Sequence, residues 1–197
     1  MPNRIQEQKP NSLRRRFLFA GGWLTLASAL PGGGNQAFAA SGDAKPPGLT
    51  PALAAELAAL GHLSGAPVAP LEDRIVVVTF FASWCPPCRT EFKHLSAIHK
   101  RYAPADLRIV AINLFEQWGS KPNPARLRRF LKDTAPPFTV IRGNDRISEG
   151  FGNITRIPTL LVFDRRGRMA YRFIHHRGAE KTHATEAEIR RVVEMLL

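Results

Sequence analysis

The chain has 197 residues, of which 44% are hydrophobic and 22% charged; that balance excludes a disordered or fibrous protein and fits an ordinary globular one. Its formal net charge is +12, and five of the 28 basic residues against one of the 16 acidic ones fall in the first 39 positions, leaving +8 on the rest. The remaining basic residues are scattered, with short clusters at Arg126-Leu127-Arg128-Arg129 and Arg165-Arg166-Gly167-Arg168 and no nucleic-acid motif, so they read as solvated faces and turns and no nucleic-acid partner is expected.

The first 39 residues read as an export signal. Arg14-Arg15-Arg16 is followed by an apolar run from Phe17 to Leu30 and by a small-x-small site, Ala37-Phe38-Ala39. Arg14-Arg15-Arg16-Phe17-Leu18 resembles the twin-arginine export signal, with Leu13 where that signal has Ser. An uncleaved anchor is the competing reading, but the run is shorter than the ~20 apolar residues that span a bilayer comfortably. The protein is thus expected to be periplasmic, touching the membrane only if residues 14–30 remain attached. Residues 40–64 are expected to be a linker and short helix, and residues 65–197 one domain.

Thr50 caps a predicted helix, residues 51–60, with Pro51 at its first position and Leu53, Leu57 and Leu60 as its apolar stripe. Residues 63–71 read as a Gly/Pro-broken connection. Residues 75–81 (IVVVTFF) are apolar on both faces, which marks a central strand covered by helices. A helix is predicted from 87 to 102, with Phe92, Leu95, Ile98 and Tyr102 on one face. Residues 107–114 form a second strand, and the strand-helix-strand order implies a right-handed crossover and parallel pairing. A helix from 124 to about 133 and a short strand at 138–141 follow, then a short helix or turn at 144–151. Strands at 159–163 and 169–174 are joined by the turn Asp164-Arg165-Arg166-Gly167. The last helix starts near Thr185, with Glu188 as its capping-box partner.

Cys85 and Cys88 are the only cysteines. They lie in Trp84-Cys85-Pro86-Pro87-Cys88, between a strand and a helix, where the helix N-terminus favours a thiolate on Cys85 and Cys88 is one turn away. In an oxidising compartment a cysteine pair is usually a staple. A disulfide spanning so short a loop removes little unfolded-state entropy, however, so it is a poor stabiliser and a good reactive group. A zinc site needs about four ligands; no second CxxC or HxxxH is present, and neither metal nor cofactor is expected. His175-His176 read as a strand end, since neighbours on a strand face opposite ways.

Together these residues resemble the thioredoxin superfamily, and within it the exported TlpA/ResA/DsbE (CcmG) group of thiol-disulfide oxidoreductases. The resemblance is carried by residues 78–92 (VTFFASWCPPCRTEF), by Arg156-Ile157-Pro158-Thr159, by the 164–167 turn and by the strand-helix-strand material between Leu107 and Ile141. It implies an α/β thioredoxin-like fold: a central mixed sheet, helices on both faces and a β-helix-β insertion. It also implies a catalytic pair in which Cys85 attacks a partner disulfide and Cys88 resolves the mixed disulfide. Trp84, Ile157 and a cis Pro158 would contact the substrate. Two departures stand out. Thioredoxin has a buried acid six residues before its first active-site cysteine, where this chain has Thr79, which makes Glu116 the candidate proton relay. The segment before Gly65 also lacks the hairpin usual in the group.

The function implied is reduction of disulfides in exported proteins, for example in cytochrome c maturation or metallocentre assembly, with a membrane-bound electron donor. A thiol oxidase or a copper-binding chaperone of the same fold are the competing readings.

Overall fold

The computed structural model describes residues 47–103, 105–117 and 123–197. The export-signal reading of residues 1–39 falls outside them, and no helix among the described residues is long and apolar enough to cross a membrane.

Every side chain of β2 (Ile75–Phe81) is buried, as its two-sided apolar pattern requires of an inner strand. It pairs in parallel with β3 (Leu107–Asn113) and antiparallel with β5 (Thr159–Phe163). Beyond β3 lies β4 (Thr139–Arg142), also parallel, and beyond β5 lies β6 (Met169–Ile174), antiparallel. The remaining edge is β1 (His62–Ser64), which pairs antiparallel with β4. The sheet order is β1-β4-β3-β2-β5-β6. Residues 63–71 are therefore not wholly a connection: the chain contributes an edge strand before Gly65. Three residues with an irregular register carry too little alternation to be recognised as a strand.

Among the described residues five helices complete the fold: α1 (Pro51–Ala58), α2 (Pro86–Tyr102), α3 (Pro124–Thr134), α4 (Asp145–Gly150) and α5 (Glu186–Leu196). α2 packs against α3 and α5, and α1 packs against α4. Successive strand residues point to opposite faces, and the aromatics follow that rule. Phe81 stacks on Phe130 of α3 and meets Phe92 of α2 at centroid distances of 5.3 and 4.7 Å, while Phe80 meets Phe151, just after α4, edge-on at 5.3 Å. Helices thus cover both faces of a mixed sheet, the α/β architecture expected.

The helix ends are chemically defined. Thr50, Asn123, Asn144 and Thr185 each accept a backbone N–H at the start of α1, α3, α4 and α5, satisfying one of the donors a helix leaves free. Thr185 and Glu188 form the reciprocal capping box. α1 buries Leu53 and Leu57, two residues of the expected apolar stripe, in the core. The segment leading into α1 is fastened to the β5–β6 turn, where the Leu49 N–H donates to the Gly167 carbonyl at 2.8 Å. Gly167 has φ +71°, and a Cβ there would lie 2.2 Å from the Leu49 oxygen, so this turn needs glycine.

Candidate functional site

At the C-terminal end of β2 the chain turns through Ala82–Trp84 into α2. Cys85 is the N-cap of that 17-residue helix, and its Sγ accepts the Cys88 N–H at 3.3 Å. Pro86 and Pro87 occupy the first helical positions, where no intrahelical N–H is lost. The two cysteines form a disulfide, S–S 2.09 Å with Cα atoms 5.4 Å apart. Cys85 is 5% exposed and Cys88 0%, so an incoming sulfur meets Cys85 first. Once the disulfide is opened, the helix dipole and the Cys88 N–H favour negative charge on that same Sγ.

Across from the pair, the Ile157–Pro158 peptide is cis. Trp84, Cys85, Pro86, Pro87 and Ile157 line one slot of about 340 Å³ together with Arg156, His175, Arg177 and Gly178. The slot joins residues separated by some seventy positions because β5 lies antiparallel against β2, with Thr159 opposite Phe80. His175 belongs to this site: its Nδ1 lies 3.2 Å from the Ile157 carbonyl, and its backbone N–H donates to the Pro158 carbonyl at 3.0 Å. The strand-end reading of His175-His176 was right about position; the ring of His175 nonetheless turns onto the slot.

Trp84 is braced from behind by the loop after β3. Its Nε1–H donates to the Phe115 carbonyl at 2.8 Å, and Phe115 holds φ at +60°, a region costly for a bulky side chain. Glu116 completes the brace. Its Oε1 accepts the Ser83 N–H at 2.6 Å and Asn113 Nδ2–H at 2.7 Å, and its Oε2 accepts the Ser83 hydroxyl at 2.7 Å. Its carboxylate, the candidate relay with an ordinary surface position as the competing reading, is engaged in holding the Ser83–Trp84 turn. A larger groove of about 680 Å³ opens beyond this loop, over the ends of β3 and β4, and neither cysteine lines it.

The buried acid comes instead from α2. Glu91, three residues after Cys88 and so on the same helical face, is fully buried. Its Oε1 accepts the Thr79 hydroxyl at 2.5 Å and its Oε2 the Ala184 N–H at 3.4 Å. Burial raises its pKa to about 7, against the smaller lowering effect of those two hydrogen bonds. Thr79 is thus a partner of the acid rather than a replacement for it. In the sequence Glu91 enters only as part of the 78–92 resemblance, with no role of its own; the signal of its burial is that it lies four residues before Leu95 and seven before Ile98, on the apolar stripe of α2.

Residues 53–192 match the Redoxin family. The chain belongs to that family. Its relatives include the thiol-disulfide oxidoreductase ResA of Bacillus subtilis, 24% identical over 99 residues, covering 50% of this chain and 52% of ResA. The thiol:disulfide interchange protein HelX of Rhodobacter capsulatus is 29% identical over 102 residues, covering 51% of this chain and 52% of HelX. The chain spans about half the length of the curated relatives it matches. Among solved structures, a thioredoxin-family thiol:disulfide interchange protein from Chlorobium tepidum superposes with a TM-score of 0.55 at 23% identity, covering 79% of this chain and 99% of that one. The Redoxin chain is thus similar to the ResA- and DsbE-like proteins, and its fold is thioredoxin-like.

Proposed function

We propose that this Redoxin-family chain is an extracytoplasmic thiol-disulfide oxidoreductase that reduces disulfides of exported proteins. The observation that carries the reading is a cysteine pair of unequal access at the start of α2, sharing one slot with Ile157 of the cis Ile157–Pro158 peptide, with a buried acid three residues further along the same helix. In the reducing direction, the Cys85 thiolate attacks one sulfur of a client disulfide, and the client's other sulfur leaves as a thiolate. Cys88 then attacks Cys85 Sγ, the mixed disulfide breaks, and the second client sulfur departs. Two electrons pass to the client and the protein is left as the Cys85–Cys88 disulfide. Glu91, in its carboxylate form, takes the Cys88 proton as that sulfur becomes nucleophilic, and a pKa near neutrality suits an acid asked to gain and lose a proton. Trp84 and Ile157 offer the client an apolar surface. A membrane-bound dithiol donor would regenerate the pair, and exported apocytochromes or metallocentre proteins are the clients implied by the TlpA/ResA/DsbE (CcmG) resemblance of residues 78–92.

The deciding experiment combines trapping with a redox titration. Cys85→Ser should abolish turnover, and Cys88→Ser should accumulate a mixed disulfide whose mass identifies the client. Equilibration of the wild-type couple with glutathione and dithiothreitol buffers should give a reducing potential. A strongly oxidising value would transfer the protein to thiol oxidation, and normal turnover by Cys88→Ser would refute the two-cysteine mechanism.

A further inference from the structure

The slot beside Cys85 has an apolar floor and a cationic rim. Trp84, Pro86, Pro87 and Ile157 provide the floor; Arg156, Arg177 and the ring of His175 stand at the edge, and among the described residues no carboxylate lines the slot. Arg156 and Arg177 are exposed, and among the described residues neither has an ion-pair partner. Several other arginines of the fold are paired: Arg89 with Asp133, Arg146 with Glu56, Arg165 with Asp106 and Arg168 with Asp164. The two arginines come from different segments, one just before Pro158 and one just after β6, and both line the slot that Cys85 lines. Two unpaired cations beside one apolar slot create a local positive field there, which attracts anionic segments during encounter and repels basic ones.

Resting on the reductase reading above, we propose that the slot selects client disulfides set in acidic sequence, with Asp or Glu next to the attacked cysteine, and that Arg156 and Arg177 are the specificity-determining residues. The apolar floor takes the client's disulfide and its immediate neighbours. The rim places guanidinium groups, each with several donors in a planar fork, where flanking carboxylates would lie. His175 Nδ1 faces the Ile157 carbonyl, so that ring narrows the slot. The chemistry is the exchange already written, with two electrons leaving the Cys85/Cys88 dithiol for the client disulfide and dithiothreitol restoring the dithiol between turnovers.

The test uses the pre-reduced protein and three short disulfide peptides that differ only in residues beside the cysteines: Asp/Glu, Ser or Lys. Reduction is followed by acid quench and chromatography. Each rate is divided by that peptide's rate with dithiothreitol, because flanking charge also alters the reactivity of the disulfide itself. The acidic peptide should exceed the basic one by about three- to tenfold at low salt, the scale of one or two exposed charge pairs. The ratio should shrink in high salt and fall towards one in R156Q/R177Q, while R191Q, on α5, keeps it. Equal normalised rates for the three peptides, or a preference that survives in R156Q/R177Q, would overturn the proposal. So would oxidised glutathione outpacing every peptide in an Arg156- and Arg177-dependent way, which would assign the rim to a small anionic disulfide. Absence of reaction with all of them would overturn the dithiol reading itself, and the rim proposal with it; turnover without charge preference overturns only the rim.

Discussion

At Glu91 a single carboxyl group is removed from water, and its two oxygens receive only one hydroxyl and one long backbone hydrogen bond in compensation. Burial outweighs those bonds and raises its pKa to about 7. If Glu91 takes the Cys88 proton, the pH profile of disulfide reduction should contain an ionisation near 7 that disappears in Glu91→Gln. We expect that variant to lose roughly 10²-fold in rate above pH 7, within the range for removal of a positioned acid or base, with stopped-flow reduction of a model disulfide as the measurement. A profile unchanged by the substitution would restrict Glu91 to packing. Glu116 predicts a different result. Its oxygens hold Ser83 and Asn113, so Glu116→Gln should leave the ionisation near 7 in place while loosening the Trp84 turn, readable as a change in tryptophan fluorescence. Much of this site was legible in the sequence. Trp84, Cys85 and Cys88 lie within five consecutive residues, and Pro158 sits in a local pattern. Glu91, His175 and Phe115 were not recognised, because what they do is set by partners across the sheet: Thr79 and Ala184, Ile157, and Trp84.

Among the elements, α5 and the residues before it bear on the site indirectly. The Ala184 peptide is held on both sides by α2, its N–H by Glu91 and its carbonyl facing His94 Nδ1 at 3.3 Å. The next residue, Thr185, is the cap of α5 and half of its capping box. Thr185→Ala should cost about 1 kcal/mol, or a fall of roughly 3 °C in Tm for a protein of this size, by thermal unfolding. Because that cap anchors Ala184, the same variant should also move the ionisation assigned to Glu91; an unmoved ionisation would mean that the clamp is set by α2 alone. The elements themselves were mostly readable from periodicity and caps: β2, β5 and β6 fall on the expected residues, and α5 begins with the expected box. β1 was hidden because three residues cannot display a period, and its pairing with β4 is a tertiary event.

For the whole molecule, two carboxyl groups tilt the dependence of stability on pH in opposite directions. Glu188 is held down to about 2, first by its hydrogen bond from Lys181 and then by Thr185; its contribution is present above the ordinary value of 4.5 and is lost as pH falls towards 2. Glu91 is raised, so the folded state holds a proton that the unfolded chain has released, and stability from this group declines as pH rises from 4.5 through 7. His99 and His183, both lowered first by burial, act against Glu91 in that range, since a folded state that resists their protonation gains as pH rises towards 6.5. Comparing wild type with Glu91→Gln cancels the histidines. The stability gain of the variant should grow from near zero at pH 4.5 to at most about 3 kcal/mol at pH 8, by urea unfolding of the oxidised proteins. A difference independent of pH would show that Glu91 does not titrate in the fold.

The Leu49–Gly167 fastening also fixes where the chain enters this part of the molecule. β5 runs from Thr159, beside Pro158, to Phe163, so the Asp164–Gly167 turn stands roughly 17 Å along the sheet from the slot. Cys85 and the entry point are therefore at opposite poles. A protein shortened to begin at Pro47 and coupled to a solid support through a tag at that end would hold its dithiol towards the liquid, as an immobilised reductant that can be recharged in place.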